Sequence, residues 1–196
     1  MRRRSILLIA LVVTAAAVVA GLAWRAGVFS NQGQPSVGGP FELVDQDGRP
    51  VDEAVLKGKW SAVFFGFTYC PDVCPTTLQA LAAAQDQLGP KARDFQVVFV
   101  SVDPERDTPQ QLKTYLSAGP FPKGTIGLTG TPAQVGAAAK AYHVFYQKRG
   151  EGADYAVDHS TPTYLMDPKG RFSRIIPYNL PPEELARQIS DAMRGG

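Results

Sequence analysis

Runs of apolar residues separated by polar turns predict an alternation of strands and helices over most of the chain. The longest apolar run of the body, Trp60–Thr68, shows no polar alternation, which is typical of a strand buried on both faces. Phe95–Val102 has the same character and predicts a second central strand. Before them, Phe41–Val44 and Arg49–Val51 flank an Asp-Gln-Asp-Gly turn, which predicts a β-hairpin.

Helices are predicted where apolar residues recur at helical spacing or where a threonine precedes a proline. Thr76–Leu88 is followed by a Gly-Pro pair that stops it. Thr108–Ser117 and Thr131–Tyr142 each begin with Thr-Pro, an N-cap followed by a proline that tolerates the first helical position. Pro182–Met193 predicts a closing helix.

Further short strands are predicted between and after these helices. One is the short strand Ile126–Leu128. Two pairs follow: Val144–Lys148 and Tyr155–Val157 as arms around the exposed loop Arg149–Asp154, and Thr163–Asp167 and Phe172–Ile176 as a hairpin over Pro168-Lys169-Gly170. The order is thus a β-hairpin, then βαβα, βα and ββα. This order predicts an α/β sandwich around a mixed central sheet.

The N-terminal segment indicates export from the cytoplasm. Ser5–Ala23 is a run of 19 residues without a charge, close to the ~20 residues that a helix needs to cross a bilayer. Three arginines precede it, which favours a cytoplasmic N-terminus. A cleaved signal peptide is the alternative, because Gly21 and Ala23 are small, but its apolar run is usually shorter. We therefore predict a transmembrane anchor over residues 1–25, a flexible tether over 26–40 and the folded domain over 41–196.

Composition and charge exclude several classes of protein. Hydrophobic residues make up 44% and charged residues 19%, so the chain can form a packed core. The net charge of +2 comes from four arginines in or beside the apolar run, and the rest of the chain has slightly more acidic than basic residues. No basic stripe remains, which predicts no nucleic-acid partner. The two cysteines are too few for a disulfide-dense scaffold or a zinc ribbon.

Both cysteines lie in one segment, Tyr69-Cys70-Pro71-Asp72-Val73-Cys74-Pro75, between a predicted strand and a predicted helix. On a helical turn this spacing places two sulfurs on one face, and the N–H groups at the start of a helix stabilise a thiolate. Two thiolates there can bind a soft metal or cycle with a disulfide. An inert disulfide is the third interpretation, although so short a loop removes little chain entropy.

His159 is the candidate ligand among the two histidines. It lies three residues before Pro162, and a proline that opens a strand in an α/β redox fold is often cis and faces the cysteine loop. His143 follows a predicted helix and is interpreted as a surface or helix-end residue. Two thiolates and an imidazole suit Cu(I), with Cu(II) if another ligand completes the site. Zinc is the competitor, but a structural zinc site normally has a fourth ligand, which is not evident here.

A third segment, Asp-Pro-Glu-Arg-Asp-Thr-Pro, follows the second central strand. Asp107 or Thr108 is explained as the cap of the next helix. Asp103 ends a buried strand at the same sheet edge as the cysteines, so capping does not explain it, and it is a candidate to orient a ligand or tune a thiol. We predict supporting positions beside the ligands for Asp72 and Asp158 as well.

Together the three segments resemble the signatures of the Sco/SenC family, membrane-anchored, thioredoxin-like copper-binding proteins that help assemble cytochrome c oxidase. The resemblance covers residues 37–194 and includes the N-terminal anchor. It implies a thioredoxin-like sandwich and a copper site made of Cys70, Cys74 and His159. It further implies delivery of copper to cytochrome c oxidase subunit II, with another copper chaperone or a thioredoxin-like reductant as a second partner. The implied location is the bacterial inner membrane, crossed once, with the soluble domain in the periplasm.

Two functions of different classes are compatible with these residues. The primary prediction is a copper metallochaperone without enzymatic turnover. The alternative is a thiol–disulfide oxidoreductase that reduces cysteines of oxidase subunit II or of another copper chaperone, or that senses redox state, with Cys70 attacking and Cys74 resolving. Pro162 restores a strand-opening proline that this family often replaces, which keeps the redox role open. The three residues between the cysteines favour metal binding instead.

Overall fold

The structure is a computed structural model that describes residues 37–152 and 154–195. The strands are β1 (Glu42–Asp45), β2 (Pro50–Asp52), β3 (Trp60–Gly66), β4 (Phe95–Ser101), β5 (Ile126–Thr129), β6 (Tyr146–Arg149), β7 (Ala156–His159), β8 (Thr163–Met166) and β9 (Phe172–Ile176). The helices are α1 (Val73–Gln87), α2 (Pro109–Ala118), α3 (Pro132–Ala141) and α4 (Pro182–Gly195).

Seven of these strands form one mixed sheet in the order β2-β1-β5-β4-β3-β8-β9. The centre is parallel, because β4 pairs in parallel with both β3 and β5. The outer pairings of β1, β2, β8 and β9 are antiparallel. The predicted α/β sandwich around a mixed sheet is therefore confirmed.

The two central strands are buried because both of their faces are covered. Every residue of β3 is buried, and Phe64, Phe65 and Phe99 are among the largest fully buried side chains. Burial of a large apolar side chain stabilises a fold by about 1.5–3 kcal/mol. The core under β3 and β4 therefore gives the loops at their carboxyl ends a rigid base.

The Thr-Pro helix starts are confirmed in detail. Thr108 accepts a hydrogen bond from the Gln111 amide at the start of α2. Thr131 and Gln134 cap each other reciprocally at the start of α3. Helix α1 differs, because the Asp72 side chain at its N-cap makes no cap hydrogen bond to the backbone. The first turn of α1 is therefore available for another acceptor.

Three local predictions are corrected by the structure. Helix α1 begins at Val73, so Cys74 lies in its first turn while Cys70 lies in the preceding loop, and the sulfurs do not share a helix face. Strands β6 and β7 pair as predicted, but they form a two-stranded sheet of their own, and β7 extends to His159. No peptide bond within the described residues is cis, so the bond before Pro162 is trans.

The predicted anchor over residues 1–25 and the tether up to residue 36 lie outside the described residues. In the part of the chain that the structure describes, no helix combines the length and the apolar character that crossing a membrane requires.

Candidate metal centre

Cys70, Cys74 and His159 come together although 85 residues of chain separate Cys74 from His159. Their ligand atoms, two sulfurs and one ring nitrogen, all lie within 4.8 Å of one another. The Cys74 Sγ and the His159 Nε2 are 3.7 Å apart. No other combination of histidine, cysteine and acidic side chains in the described residues forms such a group.

Cys70 is positioned by the loop that connects β3 to α1. Its amide donates to the Phe67 carbonyl oxygen at 3.2 Å, which closes a turn directly after the strand. The backbone N–H groups of Asp72 and Cys74 donate to the Cys70 sulfur. The start of α1 therefore directs its free amides at a thiolate rather than at a capping side chain.

Cys74 occupies the first turn of α1 and is fully buried, at 0% exposure. Its sulfur approaches the backbone of β3 closely at Gly66. A β-carbon at that position would lie 2.7 Å from the Cys74 Sγ and 2.8 Å from an edge atom of the Phe99 ring. The strand can pass beneath this sulfur only because residue 66 has no side chain.

His159 is oriented by a hydrogen bond and by two aromatic rings. Its Nδ1 lies 2.8 Å from the Ser160 carbonyl oxygen, and since a carbonyl only accepts, Nδ1 carries a proton. In the neutral ring this leaves the Nε2 lone pair facing the sulfurs. The rings of Phe67 and Phe64 pack edge-on against the imidazole, with centroids 5.7 and 6.4 Å away.

The two thiols differ strongly in acidity. A hydrogen bond from the Cys74 thiol, with further hydrogen bonds from two backbone amides, lowers the pKa of Cys70 to about 3. The same hydrogen bond, together with burial, raises the pKa of Cys74. The pair therefore shares one proton over the physiological range, with the thiolate at the more exposed sulfur.

Asp107 ties the cysteine loop to the loop after β4. Its carboxylate accepts hydrogen bonds from the Thr68 amide at 3.0 Å, the Thr68 hydroxyl at 2.6 Å and the Ser101 hydroxyl at 2.6 Å. Burial raises the pKa of Asp107, against the lowering effect of these hydrogen bonds. The sequence left the helix cap to Asp107 or Thr108, and Thr108 is the cap, so Asp107 is free for this role.

Asp103 lies at the end of β4, as predicted, but it contacts other side chains than the sulfurs. Its carboxylate accepts a hydrogen bond from the Tyr155 hydroxyl at 2.5 Å and pairs with the Arg106 Nε at 2.5 Å. Arg106 and Tyr155 were absent from the sequence-based set of site residues. An acid followed three residues later by an arginine at the end of a buried strand is the signal that could have identified Arg106.

The remaining predicted residues lie at the edge of the site or away from it. Asp72 is exposed and accepts from the Thr76 hydroxyl at 3.3 Å, so only its backbone amide contacts Cys70. Asp158 points to the face of β7 opposite His159 and pairs with Arg149 at 2.6 Å. His143 is exposed in a left-handed conformation (φ 55°) after α3, away from the sulfurs.

The ligand atoms decide which ions the site can hold. Two cysteine sulfurs and an imidazole nitrogen form a soft set that suits Cu(I). A zinc ion would normally take a fourth protein ligand, and within the described residues none joins this group. Both cysteines are free, so the same pair can also form a disulfide.

Comparison with known proteins supports this assignment. The family model SCO1/SenC matches residues 29–194. The chain belongs to the SCO1/SenC family. Copper binding is the role of this family, and solved structures of two relatives hold copper, which agrees with the predicted cofactor.

Relatives and solved structures agree with the fold and the metal. Protein SenC of Rhodobacter capsulatus is 44% identical over 168 residues, which span 85% of this chain and 74% of SenC. The crystal structure of Arabidopsis thaliana ScoI with copper bound has a TM-score of 0.77 and 42% identity, and covers 82% of this chain and 100% of ScoI.

A third match concerns the redox chemistry. BsSco, described as a member of the Sco family of cytochrome c oxidase assembly proteins with a disulfide switch, has a TM-score of 0.66 and 28% identity. The match covers 82% of this chain and 95% of BsSco.

The solved structures together confirm the predicted thioredoxin-like sandwich with its mixed sheet. This chain spans only 42–48% of the length of several mitochondrial relatives from plant and yeast.

Proposed function

We propose that the protein is a copper metallochaperone that holds one copper ion between Cys70, Cys74 and His159 and delivers it to the copper site of cytochrome c oxidase subunit II. One observation carries the proposal: two sulfurs and one imidazole nitrogen, drawn from distant parts of the chain, lie within 4.8 Å of one another. Three ligands of this softness match Cu(I) better than Zn²⁺ or Mg²⁺.

The burial of the three ligands suits transfer as well as binding. Cys74 is fully buried, whereas Cys70 and His159 are half-buried. Thiolates on a partner can therefore approach the copper from the side of Cys70 and His159, and replace these ligands one at a time. A closed four-ligand site would give a partner no such entry.

The location follows from the same proposal. The run Ser5–Ala23 anchors the protein in the bacterial inner membrane, and the domain faces the periplasm. Subunit II is the copper acceptor, and another copper chaperone or a thioredoxin-like reductant prepares the dithiol. Asp72 supports the site through its backbone amide, which donates to the Cys70 sulfur.

Competitive titration of the reduced full chain with Cu(I), in detergent micelles and against a chromophoric chelator, tests the metal site. We expect one copper per chain and a loss of affinity of about 10–100-fold in His159→Ala. His143→Ala is the matched control, because His143 is exposed and lies away from the sulfurs. Equal copper affinity in wild type and His159→Ala would contradict the assignment of the imidazole.

A transfer experiment tests the delivery step. The copper-loaded chain is mixed with the metal-free copper domain of oxidase subunit II, the proteins are separated, and copper is counted in each. We expect the metal to move to subunit II faster than it moves from a copper–chelator complex of the same affinity. An equal rate from both donors would show that the chain only buffers copper.

A thiol–disulfide oxidoreductase is the second candidate, because the two thiols are free and differ in acidity. The lowered pKa of Cys70 marks it as the attacking thiolate, and buried Cys74 is placed to resolve the mixed disulfide. This role needs no metal. Rapid reduction of oxidised subunit II by the copper-free chain, lost in Cys70→Ser, would favour it over delivery.

A further inference from the structure

Arg106 contacts both of the segments that carry ligands. Its guanidinium carbon lies 4.7 Å from the centre of the Tyr69 ring and 3.7 Å from the centre of the Tyr155 ring. Tyr69 directly precedes Cys70 in the cysteine loop, and Tyr155 directly precedes strand β7, which ends at His159. One side chain therefore bridges the loop with the thiolate and the strand with the imidazole.

The guanidinium is itself held in place by buried groups. Its Nε donates to Asp103 at 2.5 Å, and its Nη1 donates to the Tyr155 carbonyl oxygen at 3.0 Å. The second carboxylate oxygen of Asp103 accepts from the Tyr155 hydroxyl at 2.5 Å. Asp103 is 4% exposed and the Arg106 side chain 15% exposed, so water competes little for these hydrogen bonds.

The strand that carries His159 needs such a support. Among the residues that the structure describes, strands β6 and β7 pair only with each other and have no hydrogen-bonded ladder to the seven-stranded sheet. Apart from the three-residue connection from β7 to β8, their position relative to the cysteine loop therefore depends on side-chain contacts. Arg106, with Asp103 below it and the rings of Tyr69 and Tyr155 on it, provides a polar contact of this kind. We call these four residues the Arg106 clasp.

We propose that Arg106 is a positioning residue for copper binding, which holds β6 and β7 so that His159 stays within reach of the two sulfurs before the metal arrives. The inference rests on the proposed function of the site. A planar guanidinium can donate in its plane to Asp103 and to the Tyr155 carbonyl while its faces contact aromatic rings. A lysine ammonium carries the same charge but cannot make this arrangement.

The first test is the Cu(I) titration of Arg106→Lys in the full chain. We expect a copper affinity about 10–100-fold below that of the wild type, as for other residues that orient a metal ligand. Arg171→Lys is the matched control, since Arg171 forms an exposed ion pair with Asp167 in the turn between β8 and β9. Equal affinity of Arg106→Lys and Arg171→Lys would overturn the proposal.

A double-mutant cycle separates positioning of His159 from a general loss of structure. If Arg106 acts through His159, Arg106→Lys lowers copper affinity in the wild type but has little effect in a His159→Ala background. The same fold-loss in both backgrounds would show that Arg106 supports the domain as a whole, and would overturn the proposal. Tyr69→Leu gives a second variant in case Arg106→Lys folds poorly, because Tyr69 is 55% exposed and its loss weakens the same clasp.

Hydrogen exchange of the reduced, copper-free chain gives a readout independent of metal. We expect the β6 and β7 amides to exchange at least about tenfold faster in Arg106→Lys, with the β3 and β4 amides unchanged. Unchanged exchange in β6 and β7 would overturn the proposal. If the wild type binds no copper, the proposed function fails on its own, and the exchange result still decides whether Arg106 holds this hairpin.

Discussion

The loops that follow the neighbouring parallel strands β3 and β4 differ in how far they bury their polar groups. The loop after β3 leaves the Cys70 sulfur half-buried, with a thiolate that is stabilised but accessible. The loop after β4 buries the carboxylates of Asp103 and Asp107 and satisfies each with hydrogen bonds. The first loop carries the reactive thiolate and the second loop is rigid. A reactive group can therefore stay accessible to solvent when a neighbouring loop holds it in place.

The two loops are joined by direct contacts. Asp107 holds Thr68, two residues before Cys70, and Arg106 lies on the ring of Tyr69. Apart from Arg106, which contacts both ligand segments, we therefore expect a division: changes in the loop after β3 should affect copper binding first, and changes to the buried Asp107 in the loop after β4 should affect stability first. The following predictions test that division, beginning with the largest effect.

Cys74→Ala should abolish stable copper binding while leaving the fold almost intact. Loss of a thiolate ligand is expected to weaken Cu(I) binding by at least about a thousandfold. The small buried side chain changes little in volume, so the free energy of unfolding should fall by only about 1 kcal/mol. Competitive Cu(I) titration and urea denaturation of the same sample measure both quantities. Retention of stoichiometric copper would remove Cys74 from the ligand set.

Asp107→Ala should show the reverse pattern, with a larger effect on stability than on copper binding. It leaves the half-buried Thr68 amide and the buried Ser101 hydroxyl without their acceptor, which we expect to cost about 3 kcal/mol of stability. Urea denaturation measures the loss, with Asp94→Ala as the control, since Asp94 forms only an exposed pair with Arg93. A loss no larger than that of the control would show that the loop after β4 is not the rigid partner.

Gly66→Ala should disturb both properties together, because Gly66 lies where the strand meets the metal site. The added carbon would lie 2.7 Å from the Cys74 sulfur, so helix α1 or the strand must shift. We expect a loss of about 2 kcal/mol in stability and about tenfold in copper affinity. Gly136→Ala is the control, because the nearest atom to its new carbon would be 3.5 Å away. Unaltered copper affinity would show that the cysteine loop absorbs the shift.

Alkylation of the reduced, metal-free chain should show the low pKa of Cys70. Its pKa is lowered from 9.0 to about 3, so the thiolate persists as the pH falls toward that value. The lowered pKa also stabilises the folded state, fully above pH 9 and progressively less as the pH falls toward 3. At pH 5 we expect iodoacetamide to modify Cys70 about tenfold faster than a free thiol, because the larger thiolate fraction outweighs its weaker nucleophilicity. A rate that rises with a midpoint near pH 8–9, as for an ordinary thiol, would contradict this.

His143→Gly should have the smallest effect on stability, and it should stabilise the fold rather than destabilise it. His143 holds a left-handed conformation at φ 55° after α3, which glycine adopts without steric cost. We expect a gain in stability of about 1 kcal/mol at unchanged copper affinity. Thermal unfolding and Cu(I) titration check both. A fall in copper affinity would mean that the backbone conformation at the end of α3 affects the geometry of the site.

Much of this arrangement could be predicted from the sequence. The uninterrupted apolar runs identified β3 and β4, because strands covered on both faces need no polar alternation. The Thr-Pro pairs identified the starts of α2 and α3 through their capping chemistry. The two cysteines and His159 were identified by ligand type, and the structure brings their side chains together. Ligation itself stays a prediction until copper binding is measured.

Other features depend on contacts between distant residues, which no local pattern records. The pairing of β6 with β7 was predicted, but their position outside the main sheet cannot be read from such short sequences. Arg106 and Tyr155 are 49 residues apart, so their contact follows from the fold rather than from spacing. Helix α1 begins three residues before the predicted start at Thr76, because the Cys70 sulfur, which no capping pattern records, takes the first amides of that helix.

The shared proton of the dithiol has a consequence for how tightly copper is held at different pH. With the Cys70 pKa near 3 and the Cys74 pKa raised above its ordinary value, the free site carries one proton over the middle of the pH scale. Loading with copper as a bis-thiolate complex then releases one proton rather than two. The apparent affinity changes about tenfold for each pH unit instead of about a hundredfold. We therefore expect the proposed copper site to keep its metal across acidic and neutral pH better than two ordinary thiols would.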